Sequence, residues 1–83
     1  MEKIPRITAV KALPNRHLEV LFFNGTKKDY DCRMVMDKPE FFMLRDEIFF
    51  NTVKVDTGGY GISWNDNVDL SEYELWTNGE EIQ

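Results

Sequence analysis

The dipeptide Asn24-Gly25 constrains the fold of this chain more than any other feature of its sequence. Asn-Gly between two strand-like segments is the strongest short signal for a β-hairpin. The segment before it has the alternation of a strand with one buried face, through Leu18, Val20 and Phe22. The pattern therefore predicts an antiparallel pair of strands over 17–23 and 26–31.

The register of this hairpin depends on the length of its loop. A two-residue loop would place Leu18 opposite Asp31, whereas a three-residue loop with Gly25 in the left-handed conformation places Leu18 opposite Tyr30. A sheet with one buried face favours the register that brings apolar residues together. The sequence therefore predicts a three-residue loop, Phe23-Asn24-Gly25.

Other elements follow from punctuation and capping signals. Residues 6–13 form a plausible first strand. Asp37 is the expected N-cap of a helix that ends near Arg45, with Glu40 completing a capping-box pattern and Pro39 in the first turn. The apolar surface of this helix would come from Phe41, Phe42 and Leu44.

A second hairpin is predicted around Thr57-Gly58, preceded by strand-like segments at 47–50 and 52–56. This turn would pair Val55 with Tyr60, Val53 with Ile62 and Asn51 with Trp64. The alternation fits on both sides, because it keeps the apolar members of each strand on one face.

A short helix over Glu72 to Trp76 is predicted near the end, stopped by Asn78-Gly79. Its cap is either Ser71 with Glu74 or, one step earlier, Asp69 with Glu72. The fold class predicted for residues 1–83 is a single α+β domain. It is a small, mainly antiparallel sheet of four to six short strands, with two hairpins, covered on one face by two short helices.

Composition places the chain among small globular domains. The chain has 83 residues, 42% of them hydrophobic and 13% aromatic, which is sufficient for one core and argues against disorder. A single cysteine excludes an intramolecular disulfide. The opening residues resemble neither a signal peptide nor a membrane anchor, and no apolar run approaches the ~20 residues of a membrane span. We therefore expect a cytoplasmic location and no membrane partner.

Charge is distributed unevenly along the chain, and this bears on its partners. Residues 1–38 carry a net charge of +3 and residues 39–83 a net charge of −8. The overall balance disfavours nucleic acid, whose binding depends on neutralising phosphates. An acidic second half suits a basic protein partner. The alternative is a solvated surface that keeps the protein soluble.

No catalytic, metal or cofactor site is predicted, and we expect no enzyme activity. His17 is the only histidine and has no Cys/His metal pattern around it. Cys32 lies between Asp31 and Arg33, whose effects on a thiol pKa oppose each other, and we expect it to be a small buried residue. The stretch 65–76 begins like a calcium loop, but it has Leu70 and Trp76 where glycine and glutamate are required.

The predicted partner-binding residues are aromatic and acidic side chains near the C-terminus. They are Trp64, Asp66, Asp69, Glu72, Tyr73 and Trp76. Trp and Tyr often anchor interfaces. The other interpretation, favoured for Trp64 and Trp76 individually, places these two rings in the core.

Four short motifs follow one another along nearly the whole chain, each occurring once. They are L-x-V-x-F-x-N-G at Leu18–Gly25, F-x-x-L-x-D at Phe41–Asp46, I-x-W-x-x-x-x-D-L-S at Ile62–Ser71 and E-L-W-x-x-G at Glu74–Gly79. Together they resemble the bacterial domain-of-unknown-function family numbered 2442. Asn65 stands where family members often have proline after the tryptophan.

The resemblance implies a small α+β domain that occurs alone or fused to a helix-turn-helix module. Stand-alone members are often encoded beside another short protein, which implies a toxin–antitoxin-like pair. The resemblance supplies no catalytic residues. Since these 83 residues contain no such module, we expect no direct role in transcription.

These observations favour a non-enzymatic protein-interaction or regulatory module, antitoxin-like in character, as a monomer or homodimer. A small-ligand-binding or enzymatic domain is the alternative, since convergent polar groups from distant strands are not visible in sequence. Nucleic-acid binding would require its basic residues on one face, namely Arg6, Lys11, Lys27 and Lys28.

Overall fold

The computed structural model describes residues 3–82, so residues 1, 2 and 83 of the predicted domain lie outside the described residues. The fold class is α+β, as predicted. The described part contains seven strands in two antiparallel sheets, rather than four to six strands in one sheet. Two short α-helices and several 3₁₀ turns connect them.

The larger sheet has four strands in the order β1-β2-β3-β7. Their bounds are β1 Ile7–Leu13, β2 His17–Phe22, β3 Lys27–Asp31 and β7 Glu80–Ile82. The predicted register of the first hairpin is confirmed, because Leu18 lies opposite Tyr30. The three-residue loop is closed by the Phe22 amide, which donates to the Thr26 carbonyl at 2.8 Å, and Gly25 has a φ of +90°.

The smaller sheet has three strands in the order β4-β5-β6. They are β4 Lys54–Val55, β5 Gly61–Asn65 and β6 Val68–Ser71. The predicted register of this hairpin is wrong by two residues, since Val55 lies opposite Ile62 rather than Tyr60. The loop is longer because Gly58 and Gly59 both take a positive φ, and the Asp56 amide donates to the Gly61 carbonyl beyond them.

The predicted helix at 37–45 is a 3₁₀ helix over Pro39–Arg45. Its N-cap is Lys38, not Asp37, and no side chain caps it. The reason is steric, because the residue before a proline is driven to extended backbone, and Lys38 has a ψ of 135°. The tighter three-residue turn buries Phe41 and Leu44 and leaves Phe42 exposed.

Residues 47–50, predicted as strand, form the helix α1, Glu47–Phe50. Apolar residues in a short run do not distinguish a strand from a helical turn. The deciding group is the Asp46 carboxylate, which accepts hydrogen bonds from the amides of Ile48 at 2.9 Å and Phe49 at 3.3 Å.

The predicted C-terminal helix is present as α2, Glu72–Asn78. Of its two predicted caps, Ser71 is used, and its hydroxyl accepts from the Glu74 amide at 3.1 Å. Gly79 follows as the C-cap and passes the chain into β7, a strand that the sequence did not predict. Strand β6 was also missed, because Asn65 closes a tight turn into it by accepting from the amides of Asn67 and Val68.

The core lies between the two sheets and beneath α2. Its largest fully buried side chains are Tyr30, Phe22, Phe50, Leu18, Leu44, Ile62 and Leu75. Residues from both sheets, from the 39–50 segment and from α2 share this one cluster. The two sheets therefore form one domain in the described residues.

The turn between β1 and β2 is held in an unusual conformation. Asn15 and Arg16 both have a φ of 63°, which is costly for a side chain as long as arginine. The Arg16 guanidinium donates to the carbonyls of Leu44 at 2.9 Å and Arg45 at 2.8 Å. This turn is thereby joined to the end of the 39–45 helix.

Candidate interaction surfaces

The structure separates the six residues predicted to bind a partner. Trp64 is only 6% exposed and belongs to the core, so it has little surface to offer. Glu72 and Trp76 are half-buried on α2. The remaining residues are exposed, namely Asp66, Asp69 and Tyr73. A partner role for the exposed residues stays a prediction.

Both tryptophans have packing roles. The indole N–H of Trp64 donates to the Phe50 carbonyl at 2.8 Å, and the two rings lie 6.0 Å apart. Trp76 meets Phe22 edge-on, with 5.0 Å between ring centroids. The Lys28 ammonium lies 4.1 Å from the centroid of Trp76 and donates to the carbonyl of the same residue. Trp76 therefore fastens α2 to the four-stranded sheet.

The segment 39–50 presents a surface that the sequence analysis did not predict. Phe42 is 65% exposed, Met43 49% and Ile48 82%. A groove of about 480 Å³ runs here, lined by Phe42, Met43, Arg45, Asp46 and Phe49. We call it the apolar groove. Contiguous exposed apolar side chains of this kind mark interaction sites in soluble proteins.

Local structure explains why these apolar residues face outward. In the 3₁₀ turn, side chains three apart share a face, so Phe41 and Leu44 take the buried face together. Phe42 and Met43 must then point away from the core. The sequence analysis assigned Phe41, Phe42 and Leu44 to one apolar surface, whereas three residues per turn place Phe42 about 120° away from the other two.

The groove is lined by one cation and one carboxylate, Arg45 and Asp46. The Arg45 guanidinium lies 5.5 Å from the centre of the Phe42 ring. Glu40 and Glu47 are exposed on the same segment. Because Asp46 also caps α1, its carboxylate is held in place beside the groove.

A second concave site surrounds His17, on the outer face of the four-stranded sheet. The hollow measures about 190 Å³ and is lined by His17, Asp29, Asp31, Met34, Asn78 and Glu80. The His17 Nδ1 lies 2.7 Å from an Asp29 carboxylate oxygen. On the other side of the ring, Nε2 lies 3.4 Å from the Arg33 guanidinium and 3.8 Å from Asp31.

Asp31 is the carboxyl group in this hollow with a shifted pKa. The Arg33 guanidinium donates to both of its oxygens, which lowers the pKa of Asp31, and the Arg33 amide and charge act in the same direction. Asp31 is therefore ionised throughout the neutral range. It also serves as the cap of the 3₁₀ turn that follows, through the Arg33 amide at 2.9 Å.

The potential nucleophiles of this region are poorly suited to catalysis. Cys32 is fully buried, and burial followed by the nearby Asp31 charge raises the pKa of its thiol to about 12. The thiolate, which is the reactive form, is therefore scarce at neutral pH. Burial also raises the pKa of Tyr30, whose hydroxyl donates to Glu74 at 2.8 Å. Both side chains are packing residues.

Residues 3–82 show neither a metal-binding cluster nor a helix that could span a membrane. No group of three or more His, Cys, Asp or Glu side chains in this range is arranged to hold a metal ion. None of the helices in the same range has the length and apolar character needed to cross a lipid bilayer.

Comparison with known proteins identifies the family. The family model described as "Protein of unknown function (DUF2442)" matches residues 7–81. The chain belongs to the DUF2442 family. The match spans both sheets, the apolar groove and the hollow beside His17, so all of these are parts of the DUF2442 domain of this chain. Searches of curated proteins and of solved structures gave no match.

Proposed function

We propose that this DUF2442 domain is a non-enzymatic protein-interaction module that binds its partner at the apolar groove. The observation that carries the proposal is the exposure of the neighbouring residues Phe42 and Met43, which line the groove. Burying an apolar side chain of this size contributes about 1.5–3 kcal/mol, which favours covering such a surface. The relationship is regulatory or antitoxin-like, the domain binding and controlling a second protein.

The chemistry of the groove selects the partner. Arg45 and Asp46 line the groove with its apolar side chains, and the exposed carboxylates of Glu40 and Glu47 belong to the same segment. A partner segment that carries leucine or aromatic residues next to lysine or arginine is complementary to this arrangement. A second copy of the chain would oppose carboxylates to carboxylates, which disfavours self-association through this surface.

The basic residues of the chain favour protein over nucleic acid as the partner. Lys11 and Lys27 lie on the outer face of the four-stranded sheet, whereas Lys28 faces the opposite side and is engaged by Trp76. Arg6 lies over the Tyr60 ring, 4.1 Å from its centroid. They do not form the single basic face that a phosphate backbone requires.

A second candidate function is the binding of a small ligand in the hollow beside His17, where Asp29 and Asp31 flank the ring. The hollow of about 190 Å³ is smaller than the roughly 300–1,000 Å³ typical of ligand pockets. A thermal-shift screen against metabolites and nucleotides separates the two functions. A ligand whose stabilisation disappears in His17→Ala would favour this second function.

The test of the proposed function uses the tagged full chain and two matched variants. Phe42→Ala combined with Met43→Ala removes two apolar side chains that line the groove, and Phe23→Ala removes an exposed ring, 76% exposed, from a hairpin loop. Proteins retained from the source organism are identified by mass spectrometry, and the Kd of the dominant one is measured with purified protein.

We expect the double variant to weaken this Kd by about thirtyfold, as for two interface anchors, and Phe23→Ala to leave it unchanged. The same Kd for the double variant and for Phe23→Ala would contradict the proposal. Loss of a homodimer in the double variant, seen by light scattering, would make a second copy the occupant and overturn the choice of partner. Thermal melting of each variant verifies that the fold is retained.

The same experiment tests the residues predicted from sequence. Charge reversal at Asp66, Asp69 and Glu72 weakens binding if the C-terminal acidic residues contact the partner. Because Glu72 is half-buried, the pair Asp66→Lys and Asp69→Lys is the cleaner variant. An unchanged Kd in this double variant would exclude Asp66 and Asp69 from the interface.

A further inference from the structure

Strand β7 is the outermost strand of the four-stranded sheet. It pairs with β3 on one side, and no other strand among residues 3–82 pairs with its opposite side. All three of its residues are exposed. An edge strand presents unpaired backbone N–H and C=O groups, which are a template for an added strand.

The register places like charges next to each other on the outer face of this sheet. Glu19 lies directly opposite Asp29, and Asp29 lies directly opposite Glu80. Like charges in directly opposite positions of a sheet are destabilising. A cation beside Glu80 would relieve this repulsion.

The first two carboxylates of this row have cationic or hydrogen-bonding neighbours within the chain. Lys11 lies opposite Glu19, and His17 is bonded to Asp29 at 2.7 Å. Glu80 makes no ion pair or side-chain hydrogen bond with any other residue in 3–82, and the free edge lies beside it. A strand added at this edge would place one of its residues directly opposite Glu80.

The hollow beside His17 lies at the same place, because Asp29 and Glu80 both line it. Its volume of about 190 Å³ suits one long side chain. Carboxylates on its wall suit an ammonium or guanidinium head, and Met34 provides an apolar surface for the methylene stem.

We propose that the β7 edge binds an extended segment of a basic protein as a fifth strand, with a lysine or arginine of that segment opposite Glu80. Main-chain hydrogen bonds along the edge supply affinity, and the alternate side chains supply specificity. This surface is separate from the apolar groove, so the inference stands or fails independently of the proposed function.

A second copy of the chain is a poor occupant of this edge. Antiparallel pairing of two β7 strands would bring Glu80 and Glu81 of one chain beside the same residues of the other. Acidic residues at an edge are a means of preventing such self-pairing. Charge repulsion therefore disfavours pairing of two β7 strands, whereas a basic strand is attracted to this edge.

The test is an NMR titration of the ¹⁵N-labelled full chain at low salt. The probe is a ten-residue peptide in which lysine and valine alternate, and the control peptide has glutamate in place of lysine. We expect the lysine peptide to shift the amides of Glu80, Glu81 and Ile82 and to slow their hydrogen exchange, and the glutamate peptide to do neither.

Two charge-matched variants distinguish this edge from general attraction. Glu80→Lys is expected to raise the Kd for the lysine peptide at least about tenfold, whereas Asp37→Lys, an equal charge change at an exposed residue outside both surfaces, leaves it within about twofold. An equal effect of both variants, or no shifts at millimolar peptide, overturns the proposal. Shifts without slower exchange at β7 overturn strand addition as the mode of binding.

Discussion

The ion pair between Asp31 and Arg33 gives a residue-scale prediction about pH. The Arg33 guanidinium holds the pKa of Asp31 below its usual range. A group whose pKa is lower in the folded than in the unfolded state stabilises the fold above the unfolded pKa, here about 3.9, and this contribution is lost as pH falls through the folded pKa. Arg33→Gln should therefore raise the pKa of Asp31 and lower the free energy of unfolding near neutral pH, with little effect below the folded-state pKa.

Carbon NMR titration of the Asp31 carboxyl group measures the first effect, and urea unfolding at pH 6 and below pH 3 measures the second. The stability difference between wild type and Arg33→Gln should be present at pH 6 and shrink at the lower pH. Lys38→Gln, which removes an exposed cation from a different site, is the control. An unchanged Asp31 titration in Arg33→Gln would show that the pair does not act as described.

The residues that flank Cys32 are known from the sequence, but their net effect on its thiol pKa is not. Asp31 raises and Arg33 lowers a thiol pKa, so the two flanking residues alone leave the sign open. Burial decides it, since Cys32 is fully enclosed and its pKa rises to about 12. Burial results from packing between distant segments, which adjacent residues do not encode.

At the scale of elements, two glycines with positive φ predict different costs of substitution. A Cβ on Gly25 would meet no atom within 4 Å, whereas a Cβ on Gly59 would lie 2.5 Å from the Ile7 carbonyl oxygen. Gly25→Ala should therefore cost only the backbone term, about 1–2 kcal/mol. Gly59→Ala adds a steric clash worth about 1–3 kcal/mol. Chemical unfolding of both variants measures the difference, and equal losses would refute the contact.

The same two glycines explain why one hairpin was predicted correctly and the other was not. The first loop depends on local rules, namely the alternation before Asn24 and the left-handed Gly25. The second loop is lengthened around Gly59, which lies against the backbone of Ile7 in another sheet. Contacts of that range do not appear in a local pattern. The capping signal of α2 was local, and Ser71, one of the two predicted caps, is the one used.

At the scale of the whole molecule, the contacts of α2 predict that the two sheets unfold together. Leu75 of this helix is fully buried, and α2 packs against strands of both sheets. Leu75→Ala should cost about 2–5 kcal/mol. On the same helix, Tyr73→Ala removes an exposed ring and should change stability by less than about 0.5 kcal/mol. Urea unfolding with hydrogen exchange on both sheets tests this, and separate transitions for the two sheets would contradict it.

The candidate surfaces were beyond sequence because they depend on where the whole molecule leaves apolar and charged groups uncovered. Phe42 is an apolar residue of the kind usually found in a core. It is exposed here because the 39–45 helix buries Phe41 and Leu44 instead. Glu80 is one acid among many until strand order places it beside Asp29. The family was recognisable from ordered motifs, since most of the motif residues are the buried ones.

The left-handed turn at Asn15 and Arg16 bears on how this protein can be labelled. Because Arg16 holds the carbonyls at the end of the 39–45 helix, a fluorophore or epitope inserted at this tip would also displace the apolar groove. The tip at Asn24-Gly25 is equally exposed, and the space around Gly25 is open. That second tip is the place for an internal tag that leaves both surfaces intact.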